Sequence, residues 1–156
     1  MRSAVDRTSL VKAPRTAVWS RIGSTAGINH ELGPLLKMTV PRKMRGRTLD
    51  DVPIGSSLGR SWILLLKLIP FDYDKLMLAE RDSGSRFLET STMATARTWR
   101  HERTLADHPK GTLVRDQIAF DLRAPLRWLP GYALVYAFIL RRIFAHRHRR
   151  IRSHFH

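Results

Sequence analysis

The sequence predicts an α+β chain in which a curved antiparallel strand meander wraps around one long C-terminal helix. Five strand-like runs follow one another from Leu58 to Arg123, separated by turn residues. From about Leu129 the apolar residues switch to helical spacing. Ahead of the meander stand an opening strand and two short helix signals, so strands and helices come in blocks. That order belongs to a sheet with one face covered by helix.

Ser3 to Ala13 alternates imperfectly but favours a strand. Pro14 can open a helix because its missing N–H is not needed in a first turn, which gives a short helix to Ile22 carrying Val18 and Trp19. Ser24 is placed to cap a second helix running to about Leu32, closed by Gly33-Pro34. Residues 35–57 read as a strand fragment and loops. The strand runs are Leu58 to Ile69, Asp72 to Arg81, Arg86 to Thr95, Thr98 to Asp107 and Thr112 to Arg123. Pro70, Asp82-Ser83-Gly84 and His108-Pro109-Lys110-Gly111 mark turns between them. In the last segment Leu134, Tyr136, Phe138, Ile139, Ile143, Phe144 and Ile151 recur at helical spacing, predicting a helix buried in its first turns and solvated beyond Phe144.

With 156 residues, 43% of them apolar, and no internal repeat or composition break, residues 1–156 are expected to form one domain with a basic helical tail at about 141–156. The absence of cysteine excludes disulfides, thiolate metal sites and cysteine nucleophiles. No signal-peptide pattern opens the chain, which makes cytoplasmic the expected location. Lys and Arg number 28 against 13 Asp and Glu, a net charge of +15, and Arg141, Arg142, Arg147, Arg149, Arg150 and Arg152 crowd the C-terminus. So basic an exterior attracts anionic lipid, nucleic acid or acidic proteins. The apolar run Tyr132 to Leu140 spans only about 14 Å as a helix, too short to cross a bilayer. No nucleic-acid-binding motif accompanies the charge, so no specific nucleic acid is expected.

Three stretches carry a family resemblance. The opening strand with Ala13-Pro14-Arg15-Thr16-Ala17-Val18-Trp19, the run Trp99-Arg100-His101-Glu102-Arg103, and Gly111 to Phe120 (GTLVRDQIAF) resemble START-like (SRPBCC) proteins of the polyketide cyclase/dehydrase and ligand-binding type. The resemblance extends from Ser3 to about Arg152. It implies a helix-grip fold of about seven strands, β-α-α-β6-α, and an internal cavity for a hydrophobic or amphipathic molecule. No catalytic residue set is shared across such proteins, so activity has to be argued from the cavity.

Strand alternation predicts the inner face. Trp99, His101, Arg103 and Leu105 share one side of their strand; Asp116, Ile118 and Phe120 share the apolar side of the next. Counting back from the His108 to Gly111 turn sets Arg103 opposite Asp116, and a short turn near Ala94 to Arg97 sets Ser91 near His101 and Glu89 near Arg103. The expected result is a charged cluster of Glu89, His101, Arg103 and Asp116 among Trp62, Leu64, Leu66, Met93, Trp99, Ile118 and Phe120, with Tyr136 contributed by the helix. Such a cluster serves one of three ends. Arg103 neutralises two carboxylates and orders the sheet; the polar groups orient a ligand in an apolar pocket; or His101 and Asp116 act as acid and base while Arg103 polarises a carbonyl.

Glu80 and Asp82 read as solvated turn charges. His146, His148, His154 and His156 lie among arginines that repel a cation, so neither a metal nor any other cofactor is expected. These readings converge on a carrier or sensor of a lipid, isoprenoid or polyketide-like molecule. A cyclase/dehydratase working in the same cavity is the first alternative. A basic protein peripheral to anionic membranes, reached through the Arg-rich helix, is the second. Monomer and homodimer both stay open.

Overall fold

The computed structural model describes residues 3–156. Its elements run β1 (Ser3–Val11), α1 (Arg15–Ile22), α2 (Thr25–Leu32), β2 (Leu36–Met38), β3 (Ser57–Leu65), β4 (Ile69–Asp82), β5 (Arg86–Met93), β6 (Ala96–His108), β7 (Gly111–Leu122) and α3 (Tyr132–His154), with single 3-10 turns at Arg42–Met44 and Leu126–Trp128. The seven strands form one antiparallel sheet in the order β1-β7-β6-β5-β4-β3-β2. Curled around α3, the sheet makes a helix grip.

Local chemistry starts the helices where the sequence places them. Pro14 is the extended residue ahead of α1, and its carbonyl accepts from Val18 N at 3.1 Å. Ser24 Oγ accepts from Gly27 N at 3.0 Å, satisfying one of the first-turn donors of α2. Gly27 is required for a different reason: a Cβ there would lie 1.8 Å from the Arg21 carbonyl. The inner faces of the strands then bury three clusters, a small one of Val52, Leu58 and Leu78 and two larger ones. Val11, Val18, Trp19, Leu105, Val114 and Ile151 fill one end of the grip, and Val5, Met93, Trp99, Ile118, Leu140 and Phe144 fill the middle.

Two turns differ from the sequence reading. The β3–β4 reversal is made by Leu66 and Lys67, both at positive φ, and Pro70 lies inside β4. Pro70 is tolerated because β4 pairs with β5 only from Asp74 onward, so the residues before it form an edge. The β5–β6 pairing sets Glu89 opposite His101 and Ser91 opposite Trp99, two residues from the expected register. The chain reverses at Ala94-Thr95, earlier than the expected turn, and an even slip keeps every side chain on its face.

The burial of α3 runs opposite to expectation. Beyond Phe144, His148 and Ile151 are fully buried, Arg150 Nε donates to the His30 carbonyl at 3.0 Å, and His146 Nε2 lies 2.7 Å from the Gly33 carbonyl. In its first turns only Ala137 and Leu140 are buried, while Leu134, Val135, Phe138 and Ile139 are exposed. The reason is α2, which packs against the C-terminal half of α3 and offers it carbonyls and a carboxylate. The basic tail is therefore a continuation of the gripped helix.

Candidate functional site

A cavity of about 390 Å³ lies between the concave sheet and α3, a size that suits a small amphipathic molecule. Its walls are mostly apolar. Leu58, Ile63, Leu76 and Leu78 come from β3 and β4, Met93 and Trp99 from β5 and β6, and Tyr132, Tyr136, Ile139 and Ile143 from α3. Polar groups are few: Asp72, Asp74, Glu89, Thr95, His101, Arg103 and Arg147.

The charged cluster is built on the β6–β7 pairing, which opposes Arg103 and Asp116 as the hairpin count predicts. Arg103 Nε and Nη2 each donate to Asp116 at 2.7 Å, while Nη2 and Nη1 donate to Glu31 of α2 at 3.0 and 3.2 Å. Four of the five guanidinium N–H groups are thus taken. The carboxylate of Asp116 also meets His101 Nε2 and His148 Nε2, both at 2.7 Å. An ionised carboxylate only accepts, so both imidazoles present N–H to it; His148 Nδ1, 2.7 Å away from Ser9 Oγ, then accepts from the hydroxyl. Arg147 Nε adds a donor to Glu31 at 3.3 Å. One network thus ties β1, α2, β6, β7 and α3.

Its electrostatics follow from complete burial. Desolvation opposes the charge of Asp116, but Arg103 and then His101 outweigh it and hold the carboxyl well below the usual range. Glu31 is lowered in the same contest, by Arg103 and Arg147. Burial also works against a charged His101, yet Asp116 and Glu89 raise its proton affinity above that of a free imidazole. For His148 burial wins and its pKa falls. Asp116 faces the network and lies off the cavity wall, touching it through His101. Among the three residues proposed as catalytic, His101 and Arg103 reach the wall.

The remaining predicted residues divide. Glu89, Met93, Trp99 and Tyr136 line the cavity. Ile118 and Phe120 face the same side of the sheet but pack beneath α3, Phe120 against the Tyr136 ring with centroids 4.7 Å apart. Trp62, Leu64 and Leu66 are a correction: none is on the wall. Gly59, at φ +102°, sits in a β-bulge that shifts the alternation of β3 by one, so Leu58 faces in and is followed by Ser61 and Ile63. Trp62 is turned to the convex face beside Tyr73 and Arg60, and Leu66 is in the β3–β4 turn.

Two acidic groups on the wall were missed, although the alternation of β4 (Asp72, Asp74, Leu76, Leu78) would have found them. Asp72 accepts from Ala94 N, Tyr73 N and Thr95 Oγ1, and Thr95 in turn accepts from the Tyr136 hydroxyl at 2.8 Å. That chain pins α3 across the cavity to β4, and burial pushes the Tyr136 phenol up to about 12. Asp74 is buried beside Glu89 with Oδ1 lacking a hydrogen-bond partner; burial first, and Glu89 second, push its carboxyl well above the usual range. Among the described residues no group of three or more His, Asp or Glu is arranged to hold a metal ion.

A START superfamily protein from Mycobacterium smegmatis superposes with a TM-score of 0.66 at 10% identity, covering 97% of this chain and 95% of the other. Protein CV1439 from Chromobacterium violaceum gives 0.70 at 13% identity over 97% and 95%. Ara h 8.0201 gives 0.58 at 9% identity over 96% and 97%. At such identities the likeness is one of fold. No curated protein matches the chain. A family described as Domain of unknown function (DUF8410) matches residues 9–155.

Proposed function

The chain belongs to the DUF8410 family, and on that premise we propose that it binds and carries a hydrophobic or amphipathic small molecule in the cavity between sheet and α3. The observation that carries this reading is a cavity of about 390 Å³ whose wall is apolar except at Asp72, Asp74, Glu89, Thr95, His101, Arg103 and Arg147. Apolar walls with a few convergent polar groups are the composition of small-molecule sites. The Asp74–Glu89 carboxyl pair, protonated at Asp74, is a polar spot on that wall, which favours a ligand that brings a hydroxyl or amine to it. The ligand is expected to be of lipid, isoprenoid or polyketide type.

Native mass spectrometry of the purified protein, paired with a denaturing run, tests the reading. A small molecule that leaves on unfolding, or a lipid or aromatic polyketide that raises the melting temperature, supports it. A protein that is empty and that also shows no thermal shift with a broad lipid and aromatic panel overturns it. A cavity-filling change, Leu76→Trp, should abolish binding of a fluorescent fatty acid while leaving the circular dichroism unchanged.

A further inference from the structure

Most of the exposed large apolar side chains of this protein lie in two segments, the β3–β4 hairpin and the stretch from Trp128 into the first turns of α3. Phe71 and Ile139 line the cavity and are nevertheless 50% and 51% exposed, so the opening lies where the tip of the β3–β4 hairpin and the first turns of α3 face each other. On the hairpin side Leu65, Leu66, Leu68 and Ile69 project into solvent, Leu68 at 82% exposure. On the helix side stand Trp128, Leu129, Leu134, Val135 and Phe138, with Trp128 at 72% and Leu134 at 77%. The hairpin tip holds its shape through Leu66 N to the Leu35 carbonyl at 2.7 Å and Leu68 N to Leu65 at 3.1 Å. A patch this rich in large side chains marks an interaction surface.

Charge identifies the partner. Neither Gly55 to Phe71 nor Arg123 to His156 contains a single Asp or Glu, although the chain has 13. Lys67 stands at the hairpin tip between Leu66 and Leu68, and Arg127, Arg141 and Arg142 are exposed beside the apolar turns of α3. Apolar residues flanked by cations, with a tryptophan among them, match the boundary between headgroups and acyl chains of an anionic bilayer. A second copy of this chain is a poor occupant, because two faces without acidic groups on bodies of +15 repel.

We propose that the rim of the cavity mouth, the β3–β4 tip together with Trp128 and the first turns of α3, docks the protein on an anionic lipid surface. The contact differs from the one the Arg-rich sequence suggests, since the far half of α3 is packed on α2. Docking at the mouth sets the cavity against the bilayer, and the inference stands whether or not the cavity holds a ligand.

Cosedimentation of the full chain with vesicles of phosphatidylcholine alone, and of phosphatidylcholine mixed with phosphatidylglycerol, tests it. The protein should pellet with the anionic vesicles and less with the neutral ones. The charge-neutral double variant Leu68→Ser/Phe138→Ser should weaken binding by about tenfold or more, as two large side chains no longer enter the acyl boundary. Arg149→Ala/Arg152→Ala, at the far end of α3 and more than a Debye length of about 10 Å away, should change it by less than about twofold. Brominated acyl chains should quench tryptophan emission, and Trp128→Phe should remove most of that quenching. Loss of binding in the distal variant with the rim variant unaffected would overturn the proposal, as would failure to bind either vesicle. A dimer in sedimentation velocity that the rim variant dissociates would assign the face to a second copy and overturn it equally.

Discussion

The concave face has two ends built from the same strands by the same alternation, and they differ in what covers them. Toward α2 the inward residues of β6 and β7 are Arg103 and Asp116, sealed by Glu31, Arg147 and His148 with each carboxylate oxygen partnered. Toward the hairpin tip the inward residues are Ile63, Phe71 and Met93, facing open space and a half-exposed Ile139. The complete charge network is therefore where the fold is closed, and an uncovered apolar wall where it is open. A charge network contributes specificity of packing only when complete, whereas an apolar wall left uncovered keeps a ligand-sized volume available.

The comparison breaks most severely at Arg103. Arg103→Leu leaves Asp116 and Glu31 buried without their main cation, and the expected loss is about 3–5 kcal/mol in chemical denaturation. Adding Asp116→Asn and Glu31→Gln should return part of that loss; no recovery would mean that the guanidinium acts through packing alone. Next in size is Ile151→Ala, which opens a hole under the C-terminal half of α3 and should cost about 2–5 kcal/mol. A loss below about 0.5 kcal/mol at Ile151 would mean that this half of the helix is frayed, as its arginines suggest to a reader of the sequence alone.

What the sequence disclosed follows the same division. Element order, the Ser24 cap, the Arg103–Asp116 pairing and the inward side of β6 were legible because hairpin counting and period-two alternation hold wherever strands are regular. Trp62 and Leu64 were misplaced because a bulge at Gly59 is invisible to alternation and inverts the strand after it, and Leu66 because the strand ends at Leu65. Glu31, His148 and Arg147 were missed because their partners are about 30 to 140 residues away in sequence, on other elements. No local pattern distinguishes an arginine docked on a neighbouring helix from one in water. The exposed first turns of α3 escaped for the converse reason: an apolar helical stripe reads as buried, and only the three-dimensional position of α2 decides which half of the helix is covered.

Titration separates the two ends further. Asp116 and Glu31 have folded-state pKa values below their unfolded ones, so they contribute stability above about pH 4 that disappears as pH falls through the depressed values. Asp74 has the opposite sign. Its raised pKa means that the folded state holds a proton the unfolded state has lost, so its contribution declines as pH rises above about 4. Asp74→Asn should raise the melting temperature at pH 7 by a few degrees, by more than at pH 4, and should flatten the neutral-to-acid slope. A variant less stable than wild type at pH 7 would show that the carboxylate there is ionised and satisfied.

The smallest effect is expected at the open end, and it is informative because it is small. Leu134 makes no part of the three buried clusters, so Leu134→Ser should change the free energy of unfolding by no more than about 0.5 kcal/mol. A fold that needed the first turns of α3 to cover its core would lose several times that. Near-neutral stability at Leu134, set beside the large loss at Ile151 on the same helix, would establish that one element is anchored by its charged half and free at its apolar half, with the cavity mouth at the free end.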